Sequence, residues 1–438
     1  MELYTIPLNS DAGKFILYRP RIALAFVGNR PLAEIAQAFA RGETPAVSAE
    51  VRQFLENIGF FKDEFTLPEY LYPAFRPATA VLLLTNQCQL RCTYCYAAAG
   101  EFPREELTPE LGKTAIDYVC EQAQAAGFPH FEVSFHGGGE PTYHWHVLQQ
   151  CADYARSKAL PAKLSLTSNG LWSPAQAQWI IANLDGVSLS VDGSPATQDQ
   201  QRPLIGGRGS SEFVLRAIAA LDSHDFPYGI RMTATAPFTQ LAEDVRYLCE
   251  NTHCRSIQVE PAFNITRGGH GLPVEAEARA YVENYLAAYD IASAAGRRLH
   301  YSGGRAGMVT TTFCTAPYQA LIVNANGDLV TCYEVASPLH PLARLSTIGR
   351  IENGDVQVNA AARARLHDLM AARRKSCEGC YCYWSCAGDC YARAFGRGAN
   401  GHLVHSQRCD INRAITQGIL LRLMARSGGI WRGETMTL

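Results

Sequence analysis

The sequence is short of charge and of long apolar runs. Asp, Glu, Lys and Arg make up 18% of its 438 residues, and 39 basic side chains nearly cancel 41 acidic ones, leaving a net charge of −2. A chain so balanced has no global field to draw in nucleic acid or an anionic membrane surface. No apolar stretch reaches the roughly 18 residues that a spanning helix needs. The opening segment, MELYTIPLNSDAGKF, lacks a basic stretch followed by an apolar one, so no secretory signal is expected. A hydrophobic share of 47% excludes a disordered chain, and no internal repeat or low-complexity tract is visible. The length suits two or three domains.

What the sequence has in excess is cysteine, with 15 residues, an odd number. Without a secretory signal this speaks for thiols in a reducing cytoplasm, where dense cysteine more often binds metal than builds a disulfide framework. The distribution is uneven. Cys88, Cys92 and Cys95 form one cluster, and Cys314, Cys332, Cys377, Cys380, Cys382, Cys386, Cys390 and Cys409 a second. Cys120, Cys151, Cys249 and Cys254 stand alone in or beside periodic segments, and read as small buried hydrophobes.

From residue 78 the chain alternates apolar, β-branched runs with helical patterns. The runs are 78–85, 131–135, 163–168, 186–191, 229–235 and 256–261. Thr108-Pro109 and Ser173-Pro174 read as helix starts, with a capping hydroxyl before a first-turn proline. Six βα units in this span predict a parallel sheet in an open, partial (β/α)6 TIM-like barrel, with chemistry at the C-terminal ends of its strands. Residues 1–76 read as a separate small α+β module of winged-helix type, and 65–77, with three prolines, as a linker. Residues 77–304 are then the barrel, and 305–438 a loop-rich region too poor in apolar periodicity to fold without staples.

The first run ends in TNQCQLRCTYCY, with the spacing Cys88-x3-Cys92-x2-Cys95. Three thiolates on one short loop can hold three corners of a [4Fe–4S] cube, leaving the fourth iron open. A structural zinc site needs a fourth ligand, and this loop offers none. The second run ends in HGGGEPT, where glycines allow close backbone approach and Glu140 could meet an ammonium group. His136, His144 and His146 flank this motif and read as polar, partly exposed residues at a helix start.

CxxxCxxC with Tyr94 before its last cysteine, placed after a first barrel strand, resembles the signature of the radical S-adenosylmethionine (radical SAM) enzymes. The resemblance implies a [4Fe–4S] cluster on Cys88, Cys92 and Cys95 whose open iron binds S-adenosylmethionine and cleaves it to a 5′-deoxyadenosyl radical. It implies cofactor contacts from Tyr94, Gly138, Gly139 and Glu140, and from Asn169 in the Ser168-Asn169-Gly170 turn. It also implies Ser190, of Ser190-Val191-Asp192-Gly193, near the ribose and Arg202 on the cofactor carboxylate.

The C-terminal order, Cys314-x12-Gly327-x4-Cys332, then Cys377-x2-Cys380-x5-Cys386-x3-Cys390, then Cys409, is similar to the seven-cysteine SPASM extension of that family. Gly327 fits a hairpin turn in NANGDLVTC. The resemblance implies two auxiliary [4Fe–4S] clusters, a proximal one on Cys314, Cys332 and Cys390 and a distal one on Cys377, Cys380, Cys386 and Cys409. The proximal set is one ligand short; Cys382 could be that ligand, or the site could stay open. Arg363, Arg365, Arg373, Arg374 and Lys375 read as a solvated helix face.

The implied activity is that of a cytoplasmic oxidoreductase that modifies, by cross-linking or oxidation, a side chain of a ribosomally made precursor peptide with a leader. An electron donor such as flavodoxin or ferredoxin would be its second partner. In the winged-helix module the strand pieces at 15–17 and 22–26 would pair with the leader. Two alternatives remain: a protein dehydrogenase like the anaerobic sulfatase maturases, and a non-catalytic iron–sulfur peptide-binding module. The maturases commonly place an acid–base Asp directly after the second SPASM cysteine. Here Tyr333 and Glu334 follow Cys332 and are the candidate acid–base residues.

Overall fold

The computed structural model describes residues 1–8, 13–67, 75–263, 267, 271, 273–395 and 407–436. Most of the prolyl linker, residues 68–74, lies outside them. Fifteen strands are described, in two sheets.

The larger sheet has eleven strands. Six match the sequence pattern closely: β4 (Thr79–Leu83), β5 (Phe131–His136), β6 (Ala162–Ser168), β7 (Gly186–Ser190), β8 (Tyr228–Thr235) and β9 (Ser256–Ala262). They pair in chain order and all in parallel. Two short parallel strands extend this array beyond the sequence expectation. β10 (Arg298–His300) adds to β9, and β11 (Ala320–Val323) adds to the other side of β4. β12 (Asp328–Val330), β13 (Thr347–Glu352) and β14 (Asp355–Val358) continue from β11 as an antiparallel meander. Gly327, at φ +81°, makes the β11–β12 turn as expected, with its N–H on Asn324 O at 3.0 Å.

The helices between these strands pack on one face of the sheet. The expected caps are present: Thr108 Oγ1 accepts from Leu111 N, and Ser173 forms a reciprocal capping box with Gln176. Along β8, Ile230, Met232 and Ala234 enter this core, while Arg231, Thr233 and Thr235 line the opposite, inner face. Cys120, Cys151, Cys249 and Cys254 all lie buried in the same core, as apolar filler.

The small sheet departs from the reading of residues 1–76 as a separate module with open pairing edges. Its order is β1 (Tyr4–Pro7), β2 (Lys14–Arg19), β3 (Leu24–Asn29) and then β15 (Ile430–Arg432). β2 lies between β1 and β3, and the far side of β3 is taken by β15, with Ile430 opposite Phe26 and Arg432 opposite Leu24. The pieces at 15–17 and 22–26 are therefore interior strands rather than edges. Helices Arg30–Ala40 and Ala49–Asn57 cover one face of this sheet. Ile16, Tyr18 and Ala25 on the other face pack with Leu420 and Met424 of the helix Gln407–Arg426, and with Trp431.

Helix Ala360–Lys375 corrects the solvated-face expectation. Arg363 is buried over the ring of Phe75, Arg373 donates to Gly388 O, and Arg374 stacks on Tyr383 and Trp384; Arg365 and Lys375 alone of the five are exposed. No helix among the described residues is long and apolar enough to cross a membrane.

This shared core makes a direct prediction. Deleting residues 1–76 strips apolar cover from the helix that carries Cys409. The variant is expected to aggregate or to lose iron held by the C-terminal cysteines, as measured by gel filtration and iron analysis. A monodisperse deletion protein with full iron content would show the two parts to be separable.

Candidate active site

The loop after β4 carries Cys88, Cys92 and Cys95. Its course is fixed by backbone bonds to the segment after β7: Arg91 N to Pro203 O at 2.7 Å and Thr93 N to Gln201 O at 2.9 Å. Burial, then the Glu140 carboxylate, pushes the Cys88 thiol up to about 12, and burial pushes Cys92 up to about 11. A metal bound by such thiols would release their protons.

The HGGGEPT turn after β5 is locked onto this loop. Gly139 N donates to Thr85 O and Glu140 N to Gln87 O, both at 2.8 Å. The approach is so close that a Cβ on Gly139 would stand 2.0 Å from Gln87 O, which explains the glycine. A Cβ on Gly138 would meet the Ala336 methyl, so the same turn also touches the loop that follows Cys332.

Glu140 is buried at 2% exposure and heavily engaged. Its Oε1 accepts from Thr142 N, Thr142 Oγ1 and Ser168 Oγ, and its Oε2 accepts from Asn169 N at 2.8 Å. Burial raises its pKa and these donors oppose the rise. The carboxylate thus ties the β5 turn to the end of β6, with spare acceptor capacity on Oε2. Asn169, 4% exposed, directs its Nδ2 to Cys88 Sγ at 3.7 Å, so this turn residue stands beside the cluster loop.

Ser190 ends β7 on the inner face of the barrel. Arg202 follows the helix Pro195–Gln201 and donates from Nη1 to the Tyr94 hydroxyl at 2.6 Å. Residues expected around one cofactor therefore converge from the loops after β4, β5, β6 and β7.

The second cysteine group divides into two places. Cys377, Cys380, Cys386 and Cys409 line one cavity of about 280 Å3, together with Cys382. Cys314, Cys332 and Cys390 pack into a single apolar cluster with Tyr333 and Tyr391, on the face of β4 and β11 turned away from the helical core. Among the described residues no group of three or more His, Cys, Asp or Glu side chains is placed to hold a single metal ion. Thiols spread around a cavity suit an inorganic core of several atoms better than one zinc ion. Cys382 is 2% exposed and belongs with the distal thiols. Its hydrogen bond is the largest influence on Cys380 and lowers that thiol to about 6, whereas burial raises Cys382. A buried two-point ion pair, Arg408 Nε and Nη2 on Asp389 at 2.9 and 3.0 Å, ties the segment between Cys386 and Cys390 to the helix that carries Cys409.

His136 is not the partly exposed residue expected. It ends β5, is 6% exposed, and its ring lies 4.9 Å from that of Tyr333. Nδ1 faces Gly137 O at 3.3 Å, and Nε2 has no partner among the described residues. Burial, then Arg231, lowers its pKa to about 4, so the ring is neutral. His144 and His146 do lie at a helix start and are not buried, as expected. Glu334 pairs with Arg393 at 3.7 Å.

Sequence reasoning gave His136 no functional role, named Asp192 only as part of a turn, and did not single out Arg231 or Arg267. Arg267 reaches back to the cluster loop, donating to Cys92 O at 2.7 Å and Ala99 O at 2.9 Å. Nothing local marks it, because its partners lie more than 160 residues away in the chain. Arg231 could have been found from the alternation along β8, which turns a lone cation into the barrel.

A family model of the radical SAM superfamily matches residues 82–246, the span that holds all of these loops up to β8. The chain carries a radical SAM domain. Similar proteins include the Fe-coproporphyrin III synthase of Methanosarcina barkeri, 27% identical over 59% of this chain and 62% of its own length. The sporulation killing factor maturation protein SkfB of Bacillus subtilis is 25% identical over 61% and 62%. The mycofactocin maturase MftC of Mycobacterium tuberculosis is 25% identical over 72% and 78%. The chain thus spans about three fifths of the length of the first two relatives. Among solved structures, anSMEcpe with bound AdoMet superposes with a TM-score of 0.63 at 17% identity, over 80% of this chain and 96% of that one. Streptococcus suis SuiB bound to precursor peptide SuiA gives 0.54 at 14% identity, over 90% and 96%. At these identities the likeness is one of fold, and it extends past the radical SAM domain into the cysteine-rich region.

The buried carboxylate of the radical SAM domain gives a measurable consequence. Glu140→Gln exchanges one acceptor oxygen for a donor facing the N–H of Asn169 or the Ser168 and Thr142 donors. The expected loss of stability is about 1–3 kcal/mol, read by urea unfolding of the iron-loaded protein. An unchanged midpoint would show that the carboxylate does not hold the two loops together.

Proposed function

We propose that this chain is a radical SAM peptide maturase: an oxidoreductase that uses S-adenosylmethionine to modify a side chain of a ribosomally made precursor peptide. One arrangement carries the reading. The Cys88–Cys92–Cys95 loop and the Cys314–Cys332–Cys390 group are joined through the HGGGEPT turn, which touches both the loop after β4 and Ala336. Two metal-binding places flanking one polar barrel mouth suit a reaction that removes a hydrogen atom from a bound substrate. The maturases SkfB and MftC, and the SuiB complex with its precursor peptide, support a peptide as that substrate.

The thiols fit the iron–sulfur clusters that the reading requires: Cys88, Cys92 and Cys95 one, and the two C-terminal groups an auxiliary cluster each. With Cys382 among the distal thiols, the proximal group keeps three cysteines and an open position. When bound, the first cluster and S-adenosylmethionine supply a 5′-deoxyadenosyl radical. The protein's own residues orient and exclude. Gly138, Gly139 and Asn169 bring backbone and amide groups to the cofactor, Ser190 stands by the ribose, and Arg202 takes the carboxylate. The neutral His136, its Nε2 unpartnered among the described residues and its ring beside Tyr333, offers a hydrogen-bond acceptor on the substrate side. Glu334 is held by Arg393, which leaves Tyr333 and His136 facing the substrate. A flavodoxin or ferredoxin as electron donor and a cytoplasmic location complete the reading.

The test is anaerobic. Reconstituted, dithionite-reduced protein is expected to hold about 12 iron and to form 5′-deoxyadenosine from S-adenosylmethionine. Replacing Cys88, Cys92 and Cys95 together with Ala should leave about 8 iron and abolish cleavage. Stoichiometric zinc, or cleavage that survives the triple change, would refute the assignment.

A further inference from the structure

We propose that Tyr94 and Asp192 are positioning residues that set Arg202 to receive the carboxylate of S-adenosylmethionine. The inference rests on the function proposed above, and it adds to the expected cofactor contact of Tyr94 a supporting role for its hydroxyl.

Three parts of the chain meet here: the cluster loop, the end of β7 and the end of helix Pro195–Gln201. Arg202 Nη1 donates to the Tyr94 hydroxyl at 2.6 Å, and that hydroxyl donates to Asp192 Oδ2 at 2.5 Å. Asp192 Oδ1 accepts from Thr233 N at 3.0 Å, and Asp192 N donates to Gln198 Oε1 at 2.9 Å. The chain therefore has one polarity, from arginine through tyrosine to aspartate. A tyrosine hydroxyl has one proton, and here it is committed to Asp192. Asp192 is fully buried, and Arg202 is 8% exposed.

The other side of the guanidinium is unspent. Among the described residues, Arg202 Nε is buried without a partner and Nη2 has no hydrogen bond. A buried donor left unpaired is costly unless something arrives to accept from it. Nε and Nη2 together form the planar side-on fork that fits a carboxylate at two points. With Nη1 tethered behind, the fork cannot rotate away. A phenylalanine at position 94 would fill the same space and leave Nη1 without its hydrogen bond, with only the longer 3.9 Å ion pair to Asp192 Oδ1 behind it.

The experiment is a double-mutant cycle on the full chain with its clusters reconstituted. S-adenosylmethionine is titrated against the electron paramagnetic resonance signal of the dithionite-reduced protein, and the rate of 5′-deoxyadenosine formation is followed in parallel. Tyr94→Phe is expected to raise the half-saturating concentration about 10-fold, while the saturated rate stays within about 2-fold and iron content is unchanged. Arg202→Lys removes the fork and raises it at least as far. In the Arg202→Lys background, Tyr94→Phe is expected to add nothing, because its effect passes through the arginine. Asp192→Asn, with one acceptor oxygen for two donors, shifts the titration in the same direction should Tyr94→Phe fail to fold. Additive shifts, an unchanged titration in Tyr94→Phe, or iron lost in step with affinity would each overturn the proposal. Wild-type protein that neither responds to S-adenosylmethionine nor forms 5′-deoxyadenosine would overturn the radical SAM reading itself, a result distinct from additive shifts in a protein that does both.

Discussion

The site depends on two backbone hydrogen bonds, from Gly139 N to Thr85 O and from Glu140 N to Gln87 O. They hold the turn after β5 against the loop after β4 at a distance no side chain could tolerate. Glu140 then carries the constraint onward to β6, and Asn169 returns it to Cys88. A parallel sheet places the C-terminal ends of its strands side by side, but it does not fix the loops that leave them. Here the loops fix one another. A buried carboxylate with four donors costs little desolvation relative to an unpaired one, and its network has few alternative arrangements.

Much of the barrel was legible because its signals are local. Alternating apolar residues mark β5 to β9, and Thr108 and Ser173 announce their helices by hydroxyl and proline. The cysteine spacings were equally plain, and the structure gathers Cys377, Cys380, Cys386 and Cys409 around one cavity. The three-residue strands β10 and β15 left no such trace; each is a strand because a longer neighbour pairs with it.

Side-chain direction was the other blind spot. His136 sits where a strand passes into a turn, and its neighbours His144 and His146 suggested a helix start; the last residue of β5 is instead drawn in against Tyr333. The basic run at 363–375 looked like a solvated face because the partners of its arginines lie elsewhere in the chain. Phe75, Gly388 and the Tyr383–Trp384 pair each take one. Guanidinium groups stack well on rings and carbonyls, so charge alone does not forecast exposure. The same limit hid Asp192, which the sequence shows only as part of a turn.

The pairing of β3 with β15 bears on how the molecule assembles. Roughly four hundred residues separate the two strands, so their contact is among the most distant in the chain. Closing so large a loop is entropically slow, and little can compensate until the intervening barrel has become compact. The first three strands, although made early, remain without their fourth member and without the helix that covers them until residues 407–432 have emerged. Maturation of the amino-terminal sheet is therefore a late event, and Cys409, carried by that helix, reaches its final place at the same stage.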